Sequence, residues 1–354
     1  MKKVVLSLIC AIFLTLLVGC AQKKELYVLN VGDYMNEELI EKFEKKHRCH
    51  VNYTEKGSNE EIYQTILYDQ YDVVVVSDYM IDRLVKEDRV EKLDLTMLSN
   101  YKEAELFEDA RTLLNTQSSE YKDYFIPYFW GTVGILYNTD VAGLKEYVEA
   151  NGLGAVMEKN NYKVGMYNSA RDALCLAALY NGATDINTSD ETILTNAKNT
   201  LKNAEYTIWG EDNLKEAVAS GQLDLALVYS GDYLDQVYKC EVDKKEVNFA
   251  YYAPEVTNIW VDGLVVMKGA NNRDLAYEFI NFLSDHANQA ENADYIGYCP
   301  LNETVFNILY DEYEYDYSKE EFYPYNSKRL MYKFVSVEQY NKLNDLLEEA
   351  KQSK

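Results

Sequence analysis

The chain is poor in the residues that most often carry catalytic or metal-binding chemistry. It has three histidines and six cysteines among 354 residues, and no two cysteines form a Cys-x-x-Cys pair. His47, His50 and His286 have neither the spacing of metal ligands nor a serine or cysteine partner arranged as a nucleophile. We therefore expect no metal site, no cofactor and no enzymatic reaction. The sequence leaves open whether two of the four isolated cysteines after Cys20 form a disulfide: Cys49, Cys175, Cys240 and Cys299.

Long apolar runs are also absent after residue 20, so no segment there is predicted to span a membrane. The run from Val4 to Val18 falls short of the roughly 20 residues that a spanning helix needs. Lys2 and Lys3 precede this run and small residues end it, which is typical of a secretory signal peptide. The sequence therefore predicts a mature protein that works outside the cytoplasm.

The end of this segment, Leu17-Val18-Gly19-Cys20, is similar to the lipobox of bacterial lipoproteins. The resemblance implies that residues 1–19 are removed, that the Cys20 thiol receives lipid, and that residues 20–25 form a tether. The protein is then anchored to the membrane, on the outer face in a Gram-positive cell or in the periplasm. Secretion with an incidental cysteine is the alternative interpretation.

Basic residues are scarce relative to acidic ones, and the formal net charge is −24. An acidic surface repels nucleic acid and attracts cations, although a need for solubility also accounts for such a charge. The 33 tyrosines offer ring faces that attract cations, by roughly 0.5–2 kcal/mol for each contact. An AT-rich genome also raises the tyrosine content, so only tyrosines at particular loop positions count as evidence for a cationic ligand. The acidic composition disfavours a nucleic-acid partner.

Strand, loop and helix patterns alternate along the first hundred residues and again between 162 and 249. Residues 73–76 are four consecutive valines, which favours a parallel strand covered on both faces. The pattern predicts an open α/β sheet. Because ligands of such sheets bind at the carboxyl ends of the strands, we expect binding residues at 31–34 and 77–79.

Eight short blocks occur in the order found in spermidine/putrescine-binding proteins of ABC importers, and the chain resembles that family from about residue 26 to 302. The blocks are Tyr27-Val28-Leu29-Asn30 with Asp33-Tyr34, Gly57-Ser58-Asn59-Glu60, Tyr71-Asp72-Val73-Val74 with Ser77-Asp78-Tyr79, Ile126-Pro127-Tyr128-Phe129-Trp130-Gly131, Ala170-Arg171-Asp172, Trp260-Val261-Asp262, Ile280-Asn281-Phe282-Leu283 and Ile296-Gly297-Tyr298. The resemblance implies a type II periplasmic-binding-protein-like α/β fold, with two lobes and a ligand cleft between them. It places lobe 1 at 26–131 and 262–302, and lobe 2 at 132–261 and 303–354 with a C-terminal helix.

Carried over residue by residue, the resemblance implies a polyamine site of eight side chains: Tyr34, Ser77, Tyr79, Asp172, Tyr229, Trp260, Asp262 and Tyr298. Tyr229 stands where the family usually has tryptophan. Val31 replaces an aromatic residue, Gly32 a hydroxyl residue and Ser169 a carboxylate, so one end of the cleft is expected to be wider and less acidic. Three aspartates are candidates to compensate: Asp33, Asp78 and Asp232.

The chemistry of these side chains suits a polyamine, which is a thin aliphatic rod with ammonium groups along it. Flat aromatic walls cover methylene groups, and the aromatic members of the set offer such walls. Asp262 and Asp172 lie on different loops, so each is expected to hold a different ammonium group. Ser77 and Tyr79 are expected to accept further ammonium hydrogen bonds.

The resemblance thus implies a monomeric binding protein that captures spermidine or putrescine and delivers it to the permease subunits of an ABC transporter, which a cytoplasmic ATPase drives. Another cationic or zwitterionic amine is the alternative ligand. A sensor or adhesin on the same scaffold is a further alternative. An extracytoplasmic enzyme is disfavoured, because the sequence shows no nucleophile motif and no metal cluster.

Overall fold

The structure is a computed structural model that describes residues 23–313 and 322–352. The predicted signal peptide at 1–19 and the predicted lipidation site Cys20 lie outside the described residues. Within the described ranges, no helix is both long enough and apolar enough to cross a membrane. The four cysteines of those ranges all have free thiols, so no disulfide joins any two of them: Cys49, Cys175, Cys240 and Cys299.

Strands and helices alternate along most of the described chain. In chain order, its strands are β1 (Lys24–Val31), β2 (Cys49–Lys56), β3 (Val73–Ser77), β4 (Ile126–Asn138), β5 (Val164–Tyr167), β6 (Ile208–Gly210), β7 (Leu225–Tyr229), β8 (Phe249–Tyr252), β9 (Ile259–Val266) and β10 (Cys299–Pro300). Its α-helices are α1 (Glu37–His47), α2 (Asn59–Ile66), α3 (Asp78–Lys86), α4 (Glu108–Gln117), α5 (Leu144–Asn151), α6 (Gly154–Met157), α7 (Leu176–Tyr180), α8 (Glu191–Ala204), α9 (Asn213–Ala219), α10 (Ser230–Asp243), α11 (Arg273–Leu283), α12 (His286–Ile296), α13 (Glu303–Glu312) and α14 (Val337–Lys351). A π-helical segment, Ala170–Cys175, precedes α7.

A continuous sheet has the strand order β2-β1-β3-β9-β4-β7-β5-β6, with β8 and β10 also paired to β4. Parallel pairs join β1 to β2 and β3, and β5 to β6 and β7. The valines of β3 are buried, as four consecutive β-branched residues predict. The sequence predicted that β3 is parallel to its neighbours. This is confirmed for β1 but wrong for β9, which comes from a distant part of the chain and lies antiparallel to β3.

The thirteen-residue strand β4 lies in the middle of this sheet and pairs with strands on both sides. Residues 126–132 pair with β9, and Phe129 and Trp130 also pair with β10. Residues 133–138 pair with β7 and β8. We call β1, β2, β3, β9 and β10, with the helices that cover them, the first lobe, and β5, β6, β7 and β8 with theirs the second lobe. The residue boundaries given for the lobes above stay a prediction.

The chain also passes between the lobes at Asn258 and again at Leu330. The Leu330 amide donates to the Thr257 carbonyl at 3.0 Å, and the Ile259 amide donates to the Leu330 carbonyl at 3.1 Å. Beside them, the guanidinium of Arg329 is 1% exposed and donates to the carbonyls of two prolines. After this crossing, α14 packs on α8 and on the π-helical segment of the second lobe.

Candidate ligand-binding site

The predicted site residues lie at or beside the ends of strands from both lobes. The first lobe contributes six: Tyr34 after β1, Ser77 and Tyr79 where β3 passes into α3, Trp260 and Asp262 in β9, and Tyr298 after α12. The second lobe contributes two: Asp172 in the π-helical segment after β5, and Tyr229 at the end of β7. The fold therefore brings residues that are far apart in sequence to one region between the lobes.

Four of these residues form a row of ring contacts, which we call the aromatic row: Tyr34, Tyr298, Trp260 and Tyr229. Their ring centroids are separated in turn by 5.6, 5.1 and 6.3 Å, and each pair meets edge to face. The row begins in the first lobe and ends in the second. Tyr167, at the end of β5, extends the row with a contact of 5.2 Å to Tyr229. Apolar walls of this kind suit a chain of methylene groups.

Two glycines make room for the aromatic row. A Cβ atom at Gly131 would lie 2.3 Å from the Trp260 ring, and one at Gly231 would lie 2.3 Å from the Tyr298 ring. Gly231 is in the first turn of α10, in the second lobe, whereas Tyr298 belongs to the first lobe. The absence of a side chain at Gly231 therefore lets the two lobes meet at Tyr298.

Asp262 lies at the Tyr34 end of the row. Its register partner is Ser77, across the β3–β9 pair. Oδ1 of Asp262 and Oη of Tyr34 are buried, and neither has a well-formed hydrogen bond to another described residue. Burial raises the pKa of Asp262 to about 6, and the nearby hydroxyls of Ser77 and Tyr34 limit that rise. A buried carboxylate oxygen without a donor is suited to receive one from a cation.

Asp78, beside Asp262, has a different role. It is fully buried, and its carboxylate accepts hydrogen bonds from the Tyr79 amide at 2.6 Å and the Val261 amide at 3.3 Å. Burial, followed by the charge of Asp262, raises the pKa of Asp78 well above its usual range. Asp78 therefore ties α3 to β9 rather than facing a ligand.

Asp172 lies at the Tyr229 end of the row and is 5% exposed. The Tyr229 hydroxyl donates to Oδ2 of Asp172 at 3.0 Å. The Ser169 hydroxyl accepts from the Asp172 amide at 3.3 Å and caps the π-helical segment. Burial raises the pKa of Asp172, and the hydroxyls of Ser169 and Tyr229 oppose that rise. A second buried carboxylate is thus held at the far end of the row.

Tyr79 has a partner that sequence reasoning missed. The guanidinium of Arg171 lies 3.6 Å from the Tyr79 ring centroid, and the Tyr79 hydroxyl donates to Glu60 at 3.1 Å. Arg171 is 8% exposed, and its Nη2 lies 3.8 Å from Oε1 of Glu60. The rings of Tyr332 and Tyr340 lie 5.5 and 5.4 Å from the same guanidinium. The feature of the sequence that could have identified this partner is the positive charge of Arg171, which directly precedes the predicted site residue Asp172.

Of the other two aspartates considered as compensating acids, neither is a free buried carboxylate. Asp33 is exposed, with a φ of +53°. Asp232 is buried, accepts from the Tyr229 amide at 2.9 Å and forms an ion pair with Lys215 at 3.2 Å. Asp232 therefore holds the end of β7 and has its own cation.

A cavity of about 530 Å³ opens beyond Tyr79. Its walls include Glu60, Arg83 and Arg171, with Phe334 and Tyr340 from the C-terminal segment. Tyr79 is the one predicted site residue that lines it. The aromatic row and its two carboxylates lie elsewhere, so this cavity is not the predicted cleft.

Comparison with known proteins places the chain in a family. Residues 38–317 match the family model described as bacterial extracellular solute-binding protein. The chain is 29% identical over 290 residues to the putrescine-binding periplasmic protein SpuD of Pseudomonas aeruginosa, a match that covers 78% of each chain. It is 27% identical over 295 residues to the spermidine/putrescine-binding periplasmic protein of Escherichia coli, with 81% of this chain and 80% of the relative covered.

Solved structures are similar along nearly the whole chain. A protein described as a spermidine/putrescine ABC transporter of Listeria monocytogenes matches with a TM-score of 0.77 and 28% identity, over 94% of this chain and 100% of the other. The spermidine/putrescine substrate-binding protein PotD of Streptococcus pneumoniae matches with a TM-score of 0.73 and 25% identity, over 94% and 99%. These similarities confirm the predicted two-lobed α/β fold. The chain belongs to the family of bacterial extracellular solute-binding proteins.

Proposed function

We propose that this protein captures a polyamine, spermidine or putrescine, between its two lobes and delivers it to the permease of an ABC transporter. The observation that carries the proposal is the buried, unpartnered Oδ1 of Asp262 at one end of an aromatic row that crosses both lobes. The names of the relatives support the same ligand class.

The site offers what a polyamine needs. The ring faces and edges of the aromatic row cover methylene groups, while Asp262 and Asp172 each receive an ammonium group. A buried ion pair with good hydrogen bonds is favourable here because the fold already withdraws Asp172 and Oδ1 of Asp262 from water. Seven of the eight predicted residues keep their proposed roles. Tyr79 instead contacts the guanidinium of Arg171, and its hydroxyl donates to Glu60.

Closure of the lobes completes the site, because the row and the two carboxylates come from both lobes. A ligand that contacts both lobes favours the closed form by its differential affinity for that form. The protein performs no reaction on its ligand. It works outside the cytoplasm as a monomer, held to the membrane by lipid on Cys20, and passes the ligand to permease subunits that a cytoplasmic ATPase drives.

The test is isothermal titration of the mature chain with Cys20→Ala, which prevents lipidation. Putrescine, spermidine, spermine, agmatine and neutral amino acids are titrated in turn. We expect at least one polyamine to bind and the amino acids not to bind. Absence of binding by every polyamine, in a chain with a cooperative melting transition, would overturn the proposal.

The site is tested with Asp262→Asn. Loss of one charge from a desolvated pair costs about 2–5 kcal/mol, or roughly 30-fold to several thousandfold in affinity. Asp33→Asn is the matched control, because Asp33 is exposed and asparagine tolerates its left-handed backbone. Equal affinities for the two variants would remove Asp262 from the site.

A further inference from the structure

The carboxylates near the aromatic row differ in whether the protein already supplies them with partners. Asp232 has Lys215 at 3.2 Å, and Glu60 has Arg171 at 3.8 Å. Asp78 has two backbone amide donors and is held between α3 and β9. None of these three groups is left to balance a ligand charge.

Two carboxylates remain, one at each end of the row. Asp262 has no lysine or arginine within ion-pair distance among the described residues, and its Oδ1 is buried without a partner. Asp172 accepts the Tyr229 hydroxyl at 3.0 Å, and the adjacent guanidinium of Arg171 is turned to Tyr79 and Glu60. The aromatic row separates the two carboxylates, so their charges suit a molecule with one cation at each end.

The resemblance implies a carboxylate at position 169 and a hydroxyl at position 32, and this chain has neither. Ser169 uses its hydroxyl to cap the backbone amide of Asp172, and Gly32 has no side chain. Asp212 receives the Tyr167 hydroxyl at 3.2 Å, but it is exposed, and a solvated carboxylate attracts a cation weakly. A third ammonium group in the cleft would lose its water without gaining a charged partner, which is unfavourable.

From this count of unneutralised carboxylates, we infer that the cleft selects short α,ω-diamines, such as putrescine and cadaverine, over the triamine spermidine. The inference rests on the proposed function and narrows its ligand class.

The first experiment is titration of the mature Cys20→Ala chain with putrescine, cadaverine and spermidine at one pH and salt concentration. We expect a diamine to bind at least about tenfold more tightly than spermidine, since each unpaired charge carries a large penalty. Spermidine binding as tightly as putrescine, or more tightly, would overturn the inference and leave the proposed function standing. Absence of binding by all three would overturn the proposed function itself.

The second experiment adds the missing charge. Ser169→Asp places a third carboxylate beside Asp172, and Ser169→Asn is the matched control. Both side chains retain the capping acceptor at this position, so both variants are expected to fold. We expect Ser169→Asp to raise the affinity for spermidine relative to putrescine by about tenfold, as a new charged partner allows, and Ser169→Asn not to change the ratio.

The pair of variants separates charge from shape. An equal shift of the spermidine-to-putrescine ratio in both variants would mean that the volume of residue 169 decides the selectivity, and the charge count would be wrong. An unchanged ratio in Ser169→Asp, in a protein that still binds putrescine, would also overturn the inference.

Discussion

The guanidinium of Arg171 lies over the ring of Tyr79, with Cζ 3.6 Å from the ring centroid. Arg171 comes from the π-helical segment of the second lobe and Tyr79 from α3 of the first lobe. The contact therefore exists only while the lobes lie together. Glu60 on α2 adds an ion pair from the same side. Arg171 thus joins the lobes beside the proposed ligand site.

Replacement of Arg171 by glutamine is expected to weaken ligand binding and to speed ligand release. The variant loses a cation–π contact of about 0.5–2 kcal/mol that only the closed form makes. The closed population falls, and the apparent affinity falls with it by roughly 2- to 30-fold. Titration calorimetry and stopped-flow displacement measure the affinity and the release rate.

Arg83→Gln is the control for Arg171→Gln. Arg83 lies over Tyr63 with Cζ 3.4 Å from the ring centroid, so it makes a similar contact between two helices of the first lobe. Its loss should lower the melting temperature without changing the affinity. Tighter binding by Arg171→Gln would contradict the role in closure and would indicate that Arg171 mainly repels the ligand.

The raised pKa of Asp262 predicts a pH dependence of binding. Its pKa in the unliganded protein is about 6, and a cation binds the ionised carboxylate. Below pH 6 a proton must first leave, so affinity should fall as the pH falls, by up to about tenfold for each unit. Above pH 7 the affinity should be nearly constant. Titrations from pH 5 to 8 measure this profile.

The raised pKa of Asp262 has the opposite effect on the stability of the fold, because the free energy of unfolding falls as the pH rises. Because the folded-state pKa of Asp262 lies above its unfolded value, this group stabilises the unliganded fold below about pH 4. That contribution is lost as the pH rises through 6. Asp262→Asn should therefore flatten the dependence of the melting temperature on pH in the range 4 to 6. An unchanged profile in the variant would show that another group causes it.

Gly231→Ala is expected to disturb the aromatic row. The new methyl group would lie 2.3 Å from the Tyr298 ring, so the ring or the start of α10 must move. Overpacking of this kind costs about 1–3 kcal/mol, and here the cost falls on the closed form. Ligand affinity should drop by roughly tenfold, as measured by titration calorimetry.

Gly154→Ala is the control for Gly231→Ala. Gly154 is also at the start of a second-lobe helix, and the atom nearest to a Cβ there would lie at 3.5 Å, an ordinary contact, so this variant should bind like the parent chain. Equal loss of affinity in both variants would show that the replacement of a glycine by alanine weakens binding in general, and that contact with Tyr298 is not the cause.

The four free thiols predict the outcome of a thiol count. In the mature Cys20→Ala chain, Ellman's reagent should react readily with the half-buried Cys240 alone in the native state. Burial raises the pKa of Cys175 to about 12, and it also raises the pKa values of Cys49 and Cys299. After unfolding in denaturant without reductant, four thiols should react. A count of two would reveal a disulfide and contradict the structure.

The sequence by itself determined the family and the fold class, and it predicted a set of site residues. Four consecutive valines predict a buried strand because β-branched side chains favour extended backbone, and Val73–Ser77 is that strand. A tyrosine and an aspartate after each early strand indicated where a ligand binds, since strand ends meet at one edge of a sheet. Tyr34 and Ser77, from two of those strand ends, accordingly both lie beside Asp262 in the structure.

Only the tertiary structure decided which charges are free. Asp172, Asp232 and Asp262 are equivalent in sequence as loop or strand-end acids, yet Lys215 neutralises Asp232 and leaves the other two. The contact between Arg171 and Tyr79 joins residues that are 92 positions apart. Sequence patterns report which face of a local element is buried, whereas these pairings depend on how two lobes pack against each other, and local periodicity carries no record of that packing.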